Sequence, residues 1–169
     1  KIADGKAWEK WRLQHSMFTS SPALANGRVY QVSKTGVLVC VDVKTGKELF
    51  AKKINNDQIH SSPLYADGHL YLAFPNGRFM VVKPGDDDAE IVSEAQLEGG
   101  ILGSPVAWNG KIYLHTKTKL YCFGKATGQK SKATLPAALT QSAVGKAVAL
   151  QIIPGDVLLK PGQTTELTV

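Results

Sequence analysis

The side chains whose types could carry chemistry are two cysteines, four histidines and a run of three aspartates. Cys40 and Cys122 stand 82 residues apart, and a disulfide would need their Cα atoms within about 7 Å. His15, His60, His69 and His115 show no metal spacing, such as two histidines one helical turn apart. Asp86-Asp87-Asp88 offers oxygen ligands of the kind calcium takes, but consecutive acids point in different directions and lack the alternating spacing of a calcium loop. That run reads as a solvated turn. No serine-histidine-aspartate arrangement, phosphate-binding glycine loop or paired-carboxylate site can be singled out, so the reading assigns no catalytic residue and no metal ligand.

The composition fits a folded globular chain. Of its 169 residues, 43% are hydrophobic and 20% charged, which is neither the low hydrophobicity nor the extreme charge of disorder. The net charge of +6 rests on lysines scattered through turns, such as Lys34, Lys44, Lys47, Lys111, Lys117 and Lys125. Nucleic-acid binding would cluster basic residues on one element among exposed aromatics, so none is expected. No apolar run approaches the roughly 18 residues of a membrane span, and Lys-Ile-Ala-Asp-Gly-Lys at the start lacks the apolar region of a signal peptide.

The elements that must position these residues recur. Ser20-Ser21-Pro22 returns as Ser61-Ser62-Pro63 and in part as Gly103-Ser104-Pro105, so the prolines are spaced by 41 and 42 residues. Asn26-Gly27, Asp67-Gly68 and Asn109-Gly110 follow at matching offsets, each leading to a tyrosine: Tyr30, Tyr71 and Tyr113. A further turn, Thr35-Gly36 and Asn76-Gly77, is replaced by Thr118-Lys119 in the last unit, and Thr45-Gly46 is matched by Thr127-Gly128. Asn-Gly and Asp-Gly between apolar runs supply the positive φ angles of tight hairpin turns. In the first unit the strands between them are Ala23 to Ala25, Val29 to Ser33, Val37 to Val43 and Glu48 to Ile54. Four short antiparallel strands with a period near 41 are the signature of a propeller blade. The continuous apolar run Val37-Leu38-Val39-Cys40-Val41 agrees, because blade strands are buried on both faces. The fold expected is all-β, a partial β-propeller of four-stranded antiparallel blades.

One segment of this repeat has a familiar form: Asp42, then Thr45-Gly46-Lys47, then Phe50. It resembles the motif of pyrroloquinoline-quinone-like (PQQ-like) propeller repeats, in which the last position is usually tryptophan. Asp4-Gly5-Lys6-Ala7-Trp8 looks like the tail of the same motif, with Gly5 falling 41 residues before Gly46. The motif has decayed to Val81 to Gly85 in the second unit and to Cys122 to Gly128 in the third. The resemblance covers residues 1–132 and implies that Asp42 accepts hydrogen bonds from its turn, that Thr45-Gly46 and Thr127-Gly128 reverse the chain, and that Trp8 and Phe50 pack between blades.

Domain organisation follows from the same register. Residues 1–132 are expected to hold the end of one blade, a strand around Ala7 to Leu13, and three further blades. More blades of the same protein would lie upstream, since a propeller closes with four to eight. Residues 133–147, rich in small side chains, read as a linker. Residues 148–169, with strands between proline-glycine turns, resemble the start of a bacterial immunoglobulin-like domain.

These expectations absorb most of the chemistry. Cys40 and Cys122 fall at one repeat position in blades two apart, so they should not meet and are expected as buried thiols. His69 is expected in solvent, and Trp108 is expected to pack between blades. By the resemblance, the loop before each Ser-Pro feeds the innermost strand and faces the axial funnel, which makes Thr19, His60 and Leu102 the ligand-facing candidates. The family implies an extracytoplasmic protein: periplasmic, secreted or at the cell surface. The function expected is a non-catalytic binding scaffold without a cofactor, taking a protein or small ligand at the funnel or rim. Two alternatives stay open: a PQQ-dependent dehydrogenase fragment holding the quinone and calcium, and a propeller like the assembly factor of outer-membrane proteins.

Overall fold

A computed structural model of the chain describes residues 2–3 and 6–125. The expected motif residues Gly5, Thr127 and Gly128, the linker at 133–147 and the domain start at 148–169 lie outside the described residues.

The fold is all-β, and its strands form antiparallel sheets in chain order. A short hairpin joins β1 (Ile2–Ala3) to β2 (Lys6–Ala7). The first sheet contains β3 (Ala23–Ala25), β4 (Arg28–Val32), β5 (Val37–Asp42) and β6 (Glu48–Lys53). The second contains β7 (Leu64–Ala66), β8 (His69–Ala73), β9 (Arg78–Pro84) and β10 (Ala89–Gln96). In the third, β11 (Val106–Trp108), β12 (Lys111–His115) and β13 (Leu120–Gly124) are described. No described helix is long and apolar enough to cross a membrane.

The turns dictate this meander. Asn26, Asp67 and Asn109 adopt φ of 50°, 48° and 48°, and the glycines after them 70°, 74° and 69°. Two successive positive φ values twist a hairpin in the sense its strands require, and Asn or Asp before Gly adopts them at least cost. The shared turn sets a shared register. Tyr30 lies opposite Ala23 and Cys40, Tyr71 opposite Leu64 and Val81, and Tyr113 opposite Val106 and Cys122.

Face-to-face packing produces two cores. Between the first and second sheets, Tyr30, Val32, Leu38, Cys40 and Phe50 meet Leu70, Leu72, Phe74, Met80 and Val82. Between the second and third, Ala73, Phe79 and the half-buried Tyr71 meet Ile112, Leu114 and Phe123. The second sheet therefore buries both faces. Charged links tie the first two sheets at their edges: Arg28 bonds the Gly85 carbonyl and Asp86, and Lys52 bonds Asp88. The aspartate run, expected as a solvated turn, is thus a docking point for cations of the neighbouring sheet.

Four expectations are corrected. Residues 8–22 do not continue as the strand expected to Leu13; the strand ends at Ala7. The segment lies instead on the other face of the first sheet, where Trp11 Nε1 donates to the Val43 carbonyl at 3.0 Å and the Ser16 carbonyl accepts from Lys34 N–H. The half-buried Trp11 and Leu13 face Val29, Val39 and Val41 across a shared opening, which gives part of the cover a strand partner would otherwise have to supply. Cys122 is exposed while Cys40 is buried, because the second sheet covers Cys40 and no described element covers the matching face of the third. On that same uncovered face, Trp108 is 68% exposed and not packed between sheets. His69 is half-buried, with Nδ1 at 2.6 Å from the Asp67 carbonyl oxygen.

The turn at Asp42 shows how the motif works as architecture. Asp42 Oδ1 accepts hydrogen bonds from Thr45 N–H and Oγ1, both at 2.8 Å, and from Lys44 N–H at 3.0 Å. Those donors, the Thr45 hydroxyl first, hold its carboxyl below the usual carboxylate range. Gly46, at φ 74°, lies under the Trp11 ring so closely that a β-carbon would fall 2.4 Å from Cγ. Phe50, closing the motif, is buried in the first core, and Trp8 is 62% exposed.

Two outcomes follow for this turn. Gly46→Ala meets both the positive φ and the indole, so urea unfolding should show a loss of about 2 kcal/mol, with Trp11 emission shifting to the red. Asp42→Ala should lower the melting temperature at neutral pH. Because the folded carboxyl titrates below its unfolded value of about 4, its stabilisation is present above that pH and disappears as pH falls through the folded value. The melting temperatures of the two chains should therefore converge in acid; a gap that persists there would show that the carboxylate charge is irrelevant.

Candidate functional site

The loops that enter the first strand of each sheet come together at one end of the stack. Each ends in proline, which has no N–H, so the serine before it carries the last donor ahead of the strand. Ser21 N–H donates to Ser62 Oγ at 2.9 Å, and Ser62 N–H donates to Ser104 Oγ at 2.7 Å. One hydroxyl per sheet thus ties each loop to the next, at separations of 41 and 42 residues.

The preceding residue adjusts to the strand behind it. Ser61 is buried and its hydroxyl donates to the Ala73 carbonyl at 2.7 Å, while Ser20 Oγ accepts from Gln31 Nε2 at 2.8 Å. The third loop has Gly103 there. A β-carbon on Gly103 would fall 2.2 Å from the His115 ring, which occupies the place of the serine hydroxyl.

Ahead of the serines stand the three candidates. The structure brings two of them together: Thr19 Oγ1 lies 3.3 Å from His60 Nδ1. His60 Nε2 lies 3.3 Å from the Gln58 amide nitrogen, which can only donate. In the Nδ1–H tautomer His60 donates to Thr19 Oγ1, whose own hydroxyl donates to the His60 carbonyl at 3.4 Å. The Phe18 ring meets His60 edge to face, with centroids 5.0 Å apart and planes at 86°. Leu102 occupies the same position on the third loop and is 50% exposed. Phe18, 55% exposed, was not among the sequence candidates. Its position one residue before Thr19 was the available signal, since the matching Ile59 and Ile101 are buried and only the first loop leaves this side chain in water.

The chemistry this arrangement offers is contact and hydrogen bonding. The imidazole contacts an amide on one side and a hydroxyl on the other. Hydroxyl, imidazole and alkyl groups are a poor donor set for calcium, which prefers carboxylate and carbonyl oxygens. Among the described residues, no three His, Cys, Asp or Glu side chains gather to hold a metal ion. Burial pushes the Cys40 thiol above its usual range, as suits a core residue.

Known proteins share this arrangement of sheets. The crystal structure of BamB from Moraxella catarrhalis superposes with a TM-score of 0.57 over 71% of this chain and 38% of that one, at 16% identity. A quinohemoprotein alcohol dehydrogenase from Pseudomonas putida HK5 superposes at 0.51 over 62% of this chain and 17% of that one, at 15% identity. Likeness at these identities is likeness of fold, and the chain is a β-propeller segment. Outer membrane protein assembly factor BamB of Marinobacter adhaerens is 27% identical over 104 residues, covering 57% of this chain. The chain spans 26% of that relative's length. The family model described as outer membrane protein assembly factor BamB matches residues 3–87. That match takes in half of the chain, which therefore belongs to the BamB-type repeat family.

Proposed function

We propose that this chain is part of a non-catalytic, extracytoplasmic interaction scaffold that takes part in assembling outer-membrane proteins, and that it binds a partner protein through the loop end carrying Phe18, Thr19, His60 and Leu102. The observation that carries the reading is the exposure of Phe18 and Leu102, at 55% and 50%, on loops tied to one another by serine hydroxyls. Large apolar side chains held in water on a rigid frame suit a protein surface, where their burial is favourable and little order is lost. His60 and Thr19 between them supply polar groups for a rim. The matches to an assembly factor support this partner class. The likeness to the quinohemoprotein dehydrogenase concerns fold alone, and the proposal includes no quinone, calcium or other cofactor.

Site-specific photocrosslinking tests the reading. With a photoreactive phenylalanine analogue in place of Leu102, irradiation of cell envelopes should yield a discrete adduct with an envelope protein. Phe18→Ser should weaken that adduct several-fold, and the analogue placed at Glu90 should not form it. Equal adducts from positions 102 and 90, or none from 102, would sink the proposed surface.

A further inference from the structure

The opposite end of the stack carries a second feature, visible by comparing one inter-sheet junction with the next. At the first junction, Tyr65 of β7 reaches back over the first sheet. Its ring stacks on Tyr30, with centroids 6.0 Å apart and planes at 11°, and its hydroxyl accepts a 2.9 Å hydrogen bond from the Asn26 side chain. Under that cover Tyr30 is only 2% exposed.

The second junction keeps the tyrosine and the turn, exchanges the turn side chain and lacks the covering ring, while Tyr71 stacks on Phe79 of its own sheet with centroids 6.3 Å apart. Tyr71 takes the place of Tyr30, opposite Leu64 as Tyr30 is opposite Ala23. Asp67 takes the place of Asn26, in the same turn and with the same positive φ. Ala107, two residues after Pro105 as Tyr65 is two after Pro63, takes the place of the tyrosine. The consequence is an opening of about 470 Å³ lined by Asp67, Tyr71, Ala107, Trp108, Asn109 and Lys111. Tyr71 is left half-buried, and Trp108, 68% exposed, stands at the edge of the gap.

We infer that this opening is a docking site for a tyrosine side chain of a partner protein, which would stack on Tyr71 and donate its phenolic hydrogen bond to Asp67. The first junction indicates the occupant: a para-hydroxyphenyl group in the same relation to a tyrosine ring and a turn side chain. The exchange of amide for carboxylate fits an external guest. Asn26 donates to the hydroxyl of Tyr65, whereas the Asp67 carboxylate can only accept, and a phenol that donates to it makes a charge-assisted bond. All five tyrosines of this sequence lie in described strands, so the guest comes from outside it. The inference rests on the scaffold reading for the nature of the partner, but the binding chemistry stands on this junction alone.

The test uses the whole 169-residue chain and two probes, N-acetyl-tyrosinamide and N-acetyl-phenylalaninamide, titrated while the amide resonances of Asp67, Tyr71 and Ala107 are followed by NMR. The tyrosine probe should give saturable shifts and bind about tenfold more tightly than the phenylalanine probe, the difference a hydrogen bond to a charged group supplies. Ala107→Tyr fills the gap from within; it should abolish the shifts while the chain melts no lower than the native one. Asp67→Ala should erase the difference between the probes. Equal binding of the two probes, undiminished binding to Ala107→Tyr, or no saturable shift would overturn the site. None of those results would touch the crosslink at position 102, which lies at the other end of the stack, so failure here and failure of the scaffold reading are separable.

Discussion

The first two sheets of this protein carry apolar side chains on both faces, and that constraint organises everything else. In β5, Leu38, Val39, Cys40 and Val41 are successive residues, so they point alternately to opposite faces, yet all are buried, at 0 to 5% exposure. A sheet built on such a strand has no solvent face. Covering one side with a single neighbour leaves the other in water, at a cost of roughly 1.5–3 kcal/mol for each large side chain left out. Stacking sheet on sheet is the arrangement that satisfies both sides, and residues 8–22 follow the same logic where they lie on the outer face of the first sheet. The exposed ion pairs of Arg28 with Asp86 and Lys52 with Asp88 contribute little by comparison. Their value is orientation, since they act at the edges where two packed faces could still rotate.

A stack of this kind tolerates change in particular places. The turns need positive φ and the faces need apolar bulk, so those positions repeat. The side chains between neighbouring sheets need only be complementary in pairs. Gly103 with His115 replaces Ser61 with Ala73, and the exchange is local because the ring fills the space the hydroxyl vacates. Tyr65 and Ala107 differ in the same way, but here no neighbour compensates, and an opening results. Uncompensated departures from the repeat are where a scaffold acquires something specific to do.

The same reasoning explains what could be read in advance. The period, the hairpins and the strand boundaries, within about a residue, were legible because each rests on local chemistry: an Asn-Gly turn shows its backbone angles in its composition. The contact of Thr19 with His60 was within reach, since residues one period apart sit side by side in adjacent sheets. Asp86 and its partner Arg28, 58 residues apart, belong to different positions of the repeat, and nothing local links them. Residues 8–13 were misread as strand because apolar residues such as Trp11 and Leu13 suit burial by a strand partner or by a sheet face equally. Cys122 was misread because its burial depends on a neighbour and not on its own register, which is that of Cys40.

Rigidity and exposure are therefore produced by the same device at opposite ends of one strand set. The loops at the serine end are tied by hydrogen bonds from loop to loop and anchored by strands whose faces are buried, so Phe18 and Leu102 are held out of the core by the packing behind them. At the hairpin end, the residue two after the proline, Tyr65 or Ala107, decides whether a ring closes over its neighbour. Binding to groups placed in this way loses little conformational entropy, because folding has already fixed them. A propeller segment needs no catalytic machinery to be selective: the sheet packing supplies the geometry, and the few side chains that break the repeat supply the recognition.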